Sequence, residues 1–465
     1  MGKSDLDVFF KPRSIALVGL PRGLKAGKVF LLGLMDQGFD GPVYPIHPTA
    51  KEIDGLKAFR SLDDVPGEVD MAIIMSPKET VMDALKGCAR KKVKAVVLYT
   101  SGFSELGGDR GRQEEARMQK IARAGGFRII GPNCMGIYSP DSKIASFPGL
   151  PRVPGKVGFL SQSGSLIHLF VHMCGSHMLY FSHAVSYGNS CDVDLYELVD
   201  RLYTDDDTQI ICSYCEGVKD GEGLVRVMRE NALKKPFIMW KVGKTSSGMR
   251  AASSHTGSLS GSGHLWKGIF HQYGITEVKD IEELMDTVMA FYHLPLKGEG
   301  RVVIVSGPGG PAVSAADAAE LNDLSMAYLT DNTIQELKAI LPPTGTSIKN
   351  PIDVGMSASF DLGLYLDTLD ALARDKGVDA IIIVGGGATD ELTAQYIDGL
   401  VRIRKVSGKA IIAVSYPGFI QDEGLLEPLY TGGIPVYSTP ERALGAYSKL
   451  VRFHRLRKAR GIKKG

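Results

Sequence analysis

Residues 14–37 read SIALVGLPRGLKAGKVFLLGLMDQ, and this stretch decides how the first part of the chain folds. A short apolar run, Ser14–Gly19, leads into a glycine-rich turn and then into a helical pattern, Lys28–Gln37. The rhythm continues with a predicted helix at Lys78–Lys91 and predicted strands at Val43–Ile46, Met71–Met75, Ala95–Tyr99 and Arg128–Ile130. Strands that alternate with helices predict parallel sheets covered by helices on both faces.

The strand–helix rhythm restarts twice after segments rich in proline and glycine. Pro148–Pro154 precedes a predicted strand at Lys156–Leu160, and residues 295–300 (PLKGEG) precede another at Arg301–Val305. Such segments often mark domain boundaries. The sequence therefore predicts an α/β protein with three consecutive parallel-sheet domains, at residues 1–150, 151–297 and 298–465.

The composition is that of a globular protein, with 44% hydrophobic and 23% charged residues in a chain of 465. The net charge of +2 gives no indication of a nucleic-acid partner. No apolar run reaches about 18 residues, so no membrane span is predicted. The N-terminal segment carries acidic residues and lacks the apolar region of a signal peptide, and the six cysteines follow no pattern. We therefore expect a cytoplasmic protein.

Two pairs of residues have spacings that occur in metal sites. Cys212 and Cys215 lie in a predicted buried strand, where residues three apart point to opposite faces, so a structural role is favoured. His168 and His172 are four residues apart on a predicted helix, but that helix is otherwise apolar and lacks the acid of an H-E-x-x-H motif. The sequence predicts no metal site.

The turn after the first predicted strand lies where phosphate binds at the N-terminus of a helix. Its spacing is not G-x-G-x-x-G, and the second predicted strand ends in His47 and Pro48 without an acid for an adenosine ribose. Both features disfavour NAD. Arg22, Lys25 and Lys28 instead offer cations to a more heavily phosphorylated ligand. A purely structural turn is the alternative.

A second strand-to-helix turn, residues 161–166 (SQSGSL), is rich in hydroxyl groups and would expose backbone N–H groups at a helix start. The partial positive charge of such a start favours binding of a single phosphate. Residues 243–245 resemble the end of a P-loop, but Ile238 stands where that motif requires glycine. No ATP-binding domain is therefore predicted.

A third segment, residues 248–262 (GMRAASSHTGSLSGS), places His255 among small residues. Histidines of a core usually have large apolar neighbours, whereas this composition is typical of a loop. Neutral imidazole is a nucleophile near pH 7, and a nearby acid can orient its second nitrogen. Glu216, at the end of the predicted strand 209–215, is a plausible partner. An ordinary surface histidine is the alternative.

Six segments, in order along the chain, carry a resemblance to a known family. They are residues 10–16 (FKPRSIA), 131–136 (GPNCMG), 161–164 (SQSG), 188–194 (GNSCDVD), 254–258 (SHTGS) and 350–353 (NPID). With them the chain resembles, nearly end to end, the α subunit of ADP-forming acetyl-CoA synthetase, within the succinyl-CoA synthetase superfamily. The resemblance implies a Rossmann-like CoA-binding domain followed by two flavodoxin-like domains.

The resemblance also implies roles for individual residues. His255 would take the phosphoryl group, and Glu216 would hold and polarise the imidazole. One phosphate cradle would consist of Ser161, Ser163 and Gly164, and a second of Gly386 and Gly387. CoA would lie against Gly19, Arg22, Lys25, Lys28, Pro48, Lys51, Ser76 and Pro77. The acyl group would lie against Thr100, Ser101, Gly102, Asn133 and Cys134.

The implied reaction is acyl-CoA + phosphate + ADP ⇌ carboxylic acid + CoA + ATP, through an acyl phosphate and a phosphohistidine on a mobile loop. ATP or ADP and Mg²⁺ would bind a separate ATP-grasp β subunit in an α2β2-type hetero-oligomer. Three rival interpretations are a non-catalytic CoA-binding or CoA-sensing scaffold, an NAD-dependent oxidoreductase, and the same chemistry on a larger or aromatic acid. Acetyl-CoA synthetases often carry other residues at the glycine-rich segment 385–389, so the acid stays open.

Overall fold

The computed structural model describes residues 5–250, 263–307, 309–355, 361–385, 390–416 and 423–462. The chain divides into two compact units, Met1–Ile281 and Glu282–Gly465. The first unit contains two large sheets and the second unit contains one. In all three, the strands are almost all parallel and alternate with helices along the chain, which confirms the predicted α/β class.

The first sheet is built from short apolar strands that helices cover. The five strands of the sheet are β1 (Ile15–Val18), β2 (Val43–Ile46), β5 (Met71–Ile74), β6 (Ala95–Leu98) and β7 (Arg128–Ile130). Two short strands between β2 and β5, β3 (Glu52–Ile53) and β4 (Leu56–Lys57), form a separate hairpin. The helices are α1 (Asp7–Phe10), α2 (Lys28–Gln37), α3 (Val81–Lys91) and α4 (Asp109–Gly125). The elements predicted at Val43–Ile46, Arg128–Ile130 and Lys28–Gln37 are confirmed to the residue.

The second sheet carries the segment 161–164 and Glu216 at the ends of its strands. Its strands are β8 (Gly136–Tyr138), β9 (Val157–Ser161), β10 (Phe181–Ser186), β11 (Ile210–Cys215), β12 (Phe237–Lys241) and β13 (Thr276–Val278). Its helices are α5 (Gly164–Gly175), α6 (Leu195–Thr204), α7 (Gly221–Asn231) and α8 (Gly263–Tyr273). The strand β8 pairs antiparallel with β10, and the other pairings are parallel.

The third sheet belongs to the second compact unit. Its strands are β14 (Arg301–Ser306), β15 (Ser325–Met326), β16 (Ile352–Asp353), β17 (Ala380–Val384), β18 (Ala410–Val414) and β19 (Val436–Tyr437). The helices of this unit are α9 (Ile281–His293), α10 (Gly309–Leu321), α11 (Asp331–Ile340), α12 (Leu362–Arg374), α13 (Asp390–Ser407), α14 (Glu427–Thr431) and α15 (Pro440–Ala459). Within this unit α9 contacts α15, where Arg442 Nε lies 2.7 Å from Asp286 Oδ2. The predicted boundaries of the three domains stay predictions.

The first two sheets share one strand order, and the third resembles them apart from β16, which pairs with β14 off the main path. The order is β2-β1-β5-β6-β7 in the first sheet and β13-β12-β11-β9-β10-β8 in the second, and β14 lies next to β17 in the third. When the parallel strands of each sheet are numbered along the chain, the order in the first two is 2-1-3-4-5. In this doubly wound order, ligands bind where the connections change direction, at the carboxyl ends of the first and third strands. The sites should therefore lie between β1 and β5, between β9 and β11, and between β14 and β17.

The family segment 188–194 joins the first two sheets. A Cβ on Gly188 would lie 2.2 Å from Pro132 O, so only glycine allows this approach. Asp192 Oδ2 accepts hydrogen bonds from Ile129 N at 2.9 Å and Arg128 Nε at 3.0 Å, at the edge strand of the first sheet. These contacts hold residues 131–136 against the second sheet.

The fold also places several single residues that the sequence analysis considered. All six cysteines are buried and unpaired, and Cys212 and Cys215 lie in β11. Among the described helices, none combines the length and the apolar character that crossing a bilayer requires. Burial against the Phe147 ring lowers the pKa of His168 to about 4. In the described part of the chain, no group of three or more His, Cys, Asp or Glu residues could hold a metal ion.

Candidate functional site

The carboxyl end of β9 presents the start of α5. Ser161 is fully buried, and its hydroxyl donates to Ser163 O at 2.7 Å, which shapes the turn. Ser163 occupies the N-cap position of α5 without a side-chain hydrogen bond to the first turn, and its Oγ lies 3.4 Å from Ser165 Oγ. The first N–H groups of a helix have no partners within the helix. This start, without a side-chain cap, therefore suits an anion such as phosphate.

The loop of residues 131–136 lies directly against this helix start. A Cβ on Gly164 would lie 2.8 Å from Met135 Cγ, so the glycine permits the contact. Met135 N donates to Ser186 Oγ at 3.1 Å, at the end of the neighbouring strand β10. The structure thus places the predicted acyl loop next to the predicted phosphate cradle.

Glu216 follows β11 and is 4% exposed, and three of its groups are engaged. Its backbone N–H donates to Gln162 Oε1 at 2.8 Å, and its backbone carbonyl accepts from Lys241 Nζ at 2.7 Å. Its Oε1 accepts from the Tyr214 hydroxyl at 3.2 Å, and burial together with the Glu216 charge raises the pKa of Tyr214. The backbone of Glu216 is therefore held from both sides, and its carboxylate is buried and oriented by the Tyr214 hydroxyl.

His255, Gly386 and Gly387 lie outside the described residues, so their predicted roles stay predictions. The flanks of the His255 segment are described. Lys244, which follows β12, pairs with Glu277 of β13 at 2.6 Å. A Cβ on Gly263, the first residue of α8, would lie 3.7 Å from Lys244 O. Both flanks therefore meet at the carboxyl edge of the second sheet, where Glu216 also lies.

At the switch point of the first sheet, the loops after β1 and β5 approach closely. Gly19 has a φ of +84°, and a Cβ there would lie 2.7 Å from the Ser76 backbone. The Ser76 hydroxyl is buried and, among the described residues, has no hydrogen-bond partner. An unpaired buried hydroxyl in a ligand-binding position is satisfied when a ligand group binds it. The crevice therefore offers an unsatisfied hydroxyl beside a close approach of two backbone loops.

The predicted cations of this loop divide into two kinds. Arg22, Lys25 and Lys51 are exposed, as are Pro48 and Pro77, and Arg22 donates to the Thr49 hydroxyl. Lys28 is different, because it is 4% exposed and its Nζ lies 2.5 Å from Asp54 Oδ2. The expectation that Lys28 offers a free cation does not fit this ion pair. Lys28 instead ties the β1–α2 turn to the β3–β4 hairpin.

The predicted acyl residues form a turn beside the crevice between β1 and β5. The Thr100 hydroxyl donates to Ser76 O at 2.7 Å, and Asn133 N donates to Thr100 O at 3.1 Å, while Ser101 is exposed. Cys134 is 3% exposed, and burial raises the pKa of its thiol to about 12. A thiol with this pKa is not a nucleophile near pH 7, so Cys134 supports the loop by packing.

Two buried carboxylates behind the acyl turn were not identified from the sequence. Glu105 Oε2 accepts from Phe103 N at 3.0 Å, and the N–H of Gly102 also donates to Glu105. The Asn189 amide donates to Glu105 at 2.6 Å and to Glu115 at 2.9 Å. Asn189 belongs to the segment 188–194, which carries part of the resemblance but has no predicted role. That segment was the one feature of the sequence that pointed to this cluster.

Comparisons with known proteins agree with this geometry. A family model described as a CoA binding domain matches residues 13–140, and one described as the flavodoxin domain of succinyl-CoA ligase type matches residues 154–291. The α subunit of ADP-forming acetate–CoA ligase II from Pyrococcus furiosus is 37% identical over 451 residues, which cover 96% of this chain and 97% of that subunit. The chain belongs to the family of ADP-forming acetate–CoA ligase α subunits.

Solved structures and longer relatives of this family extend the comparison. The acetyl-coenzyme A synthetase 1 of Ca. Korarchaeum cryptofilum, solved with phosphate and ADP, superposes with a TM-score of 0.87 at 32% identity and covers 98% of this chain and 99% of that one. The ADP-forming acetate–CoA ligase I of Archaeoglobus fulgidus is 34% identical over 97% of this chain, which spans 64% of that longer protein.

Membership of the family confirms the acid–thiol ligase class and the CoA-binding and flavodoxin-like folds. The NAD-dependent oxidoreductase and the non-catalytic scaffold are therefore not favoured. The described residues agree with a ligase, since a helix start without a side-chain cap and a buried carboxylate lie at the same edge of the second sheet.

Proposed function

We propose that this chain carries out the acyl half of an ADP-forming acyl-CoA synthetase reaction and passes the phosphoryl group to His255. The proposal rests on three structural features that lie together at the carboxyl edge of the second sheet. The acyl loop at Met135, the start of α5 at Gly164 and the immobilised Glu216 all lie around the carboxyl ends of β9 and β11.

The proposed reaction has two displacements. Phosphate held at Ser161, Ser163 and Gly164 attacks the thioester carbonyl, the CoA thiolate leaves, and an acyl phosphate forms. An imidazole nitrogen of His255 then attacks phosphorus, and the carboxylate leaves. Glu216 accepts a hydrogen bond from the second imidazole nitrogen, which favours the positive ring of the phosphorylated state. The reverse sequence makes acyl-CoA from the acid.

CoA binds the crevice between β1 and β5 in this proposal. Gly19 lets the backbone approach the ligand, and the Ser76 hydroxyl donates to it. Arg22, Lys25 and Lys51 contact its phosphates from the exposed rim, and Pro48 and Pro77 line it. Lys28 contributes by bracing the turn through Asp54. The thioester end then reaches Thr100, Ser101, Gly102 and Asn133, because the Thr100 hydroxyl is bonded to Ser76 O.

The nucleotide half is assigned to another protein. ATP or ADP and Mg²⁺ bind an ATP-grasp β subunit in an α2β2-type assembly, and Gly386 and Gly387 form the second phosphate cradle. The name of the Pyrococcus furiosus relative as an α subunit supports a partner chain. The unpaired cysteines support a reducing, cytoplasmic setting. The purified chain alone should make no ATP from acyl-CoA, phosphate and ADP, and robust ATP formation would contradict the assignment.

We propose a short carboxylic acid as the substrate. Two P. furiosus relatives named for acetate are 37% and 35% identical, whereas relatives named for 4-hydroxybutyrate and trans-feruloyl-CoA are 32% and 28% identical. A screen of carboxylic acids in the CoA-dependent reaction, with the β subunit supplied, tests this choice. Turnover only with aromatic acids would replace it by the larger-acid alternative.

The central test is labelling with ³²P-acetyl phosphate, which requires no partner subunit. The wild-type chain should acquire an acid-labile, base-stable label, a pattern that separates phosphohistidine from phosphoserine. His255→Asn should abolish the label because no neighbouring side chain replaces the imidazole. His264→Asn, which changes an exposed histidine of α8, should label like the wild type. Normal labelling of His255→Asn would refute the proposal.

A further inference from the structure

Lys241 is a buried cation at the ligand end of the second sheet. It ends β12 and is 1% exposed. Its Nζ donates to Glu216 O at 2.7 Å and also to Val242 O. It lies 5.3 Å from the centre of the Trp266 ring, on the first turns of α8. Among the described residues, no carboxylate forms an ion pair with it.

Such a cation is costly to keep. Burying an ammonium group costs several kcal/mol unless hydrogen bonds and opposite charges compensate. Two carbonyl oxygens and an indole face compensate only in part, and burial lowers the pKa of Lys241. A methionine of similar length would fill the same space without that cost. The positive charge and the N–H donors of Lys241 therefore require a role other than filling space in the core.

We propose that Lys241 is a positioning residue for phosphoryl transfer. Its ammonium group fixes the backbone of Glu216 and, through Trp266, holds the start of α8 against the end of β12. These are the two flanks of the segment that bears His255. The same positive charge lies beneath Glu216, where it offsets the added negative charge when a phosphoryl group arrives. This inference rests on the proposed function.

The other end of the same strand provides a matched control. Lys235 precedes β12, and its Nζ donates to two carbonyl oxygens, Leu202 O at 2.9 Å and Asp205 O at 2.5 Å. Burial lowers the pKa of Lys235 as well. Lys235 and Lys241 thus both donate to two carbonyl oxygens, at opposite ends of β12. Lys235 is half-buried and lies just before the strand, and only Lys241 contacts Glu216.

The test compares Lys241→Met with Lys235→Met by rapid-quench labelling with ³²P-acetyl phosphate. Lys241→Met should lower the maximal labelling rate roughly 10- to 100-fold, because a misplaced reacting group loses its orientation. The half-saturating acetyl phosphate concentration and the final labelled fraction should stay unchanged. Lys235→Met should label at the wild-type rate. Lys241→Gln keeps an N–H donor for Glu216 O and should therefore recover part of the labelling rate. This variant provides a second measurement in case Lys241→Met does not fold.

The outcomes separate the inference from the proposed function. Equal rates for Lys241→Met and Lys235→Met, while His255→Asn stays unlabelled, would overturn the role of Lys241 and leave the phosphohistidine intact. A lower labelled fraction at an unchanged rate would show that Lys241 only stabilises the fold, and would also overturn it. Failure of the wild-type chain to label would remove the proposed function and this inference together.

Discussion

Apart from the buried ion pair of Lys28 with Asp54, the predicted cations at the switch point of the first sheet are exposed, whereas Glu216 and Lys241 at that of the second sheet are buried. Arg22, Lys25 and Lys51 are exposed around the crevice in which CoA is proposed to bind. Glu216 and Lys241 are 4% and 1% exposed and are bonded through their backbone and side-chain atoms. The two sites share the same position in the same strand order, so the difference comes from the side chains.

Exposed and buried charged groups suit two different tasks, which are reversible ligand binding and stabilisation of a transition state. An exposed cation binds an anion weakly because water screens the charge, and several such cations can hold a large ligand that must leave again. A buried, preorganised group is fixed before the reaction and acts strongly on the charge that develops in the transition state. We therefore expect substitutions at the second switch point to change rates, and substitutions at the first to change affinity.

The largest effect is expected at the buried carboxylate. Glu216→Gln keeps the backbone bonds and a partner for the Tyr214 hydroxyl but removes the charge. The activation free energy of His255 labelling should rise by about 2–4 kcal/mol, by analogy with other preorganised contacts, so labelling should be slower. Single-turnover labelling measures this fall. Glu230→Gln, on the exposed face of α7, should label normally. A Glu216→Gln variant with a wild-type rate would remove the contrast between the sites.

An intermediate effect is expected where the first site depends on backbone geometry. Gly19→Ala places a Cβ 2.7 Å from the Ser76 backbone at a φ of +84°, so it should destabilise the chain by roughly 2–3 kcal/mol and weaken CoA binding. Urea unfolding and calorimetric titration with CoA measure the two effects. Gly23→Ala meets no atom within 4 Å and serves as the control. Equal stability of both variants would contradict the close approach of the two loops.

The smallest effect is expected at the exposed cations. Lys25→Glu should raise the CoA dissociation constant several-fold, on the order of 1 kcal/mol, and more steeply at low salt. Lys120→Glu, an equal charge change on the exposed face of α4, controls for net charge. Titration at two salt concentrations checks both. If Lys25→Glu and Lys120→Glu shift the dissociation constant equally, the phosphates of CoA do not lie near Lys25.

Local patterns were sufficient to predict much of the fold. The apolar run of β1 and the helical pattern of α2 depend on neighbouring residues, so both were visible in the sequence. Glu216 could be predicted because it directly follows a buried strand, where parallel sheets bind ligands. The pairing of Lys28 with Asp54 could not be predicted from the sequence. It depends on how the β3–β4 hairpin folds back over the β1–α2 turn, and the two residues are 26 positions apart in the chain.

The sequence by itself determined the family, the alternation of strands and helices, and the residue types available for phosphate and CoA chemistry. Tertiary structure decided which of those residues are free to act. Lys25 and Lys28 have the same chemistry and lie on the same turn, but one is exposed and the other is buried in an ion pair. Lys241 became a candidate only when folding brought its ammonium group to the carbonyl of Glu216. Burial and contact across distant segments set the electrostatic environment of a side chain, and neither is written in its immediate sequence.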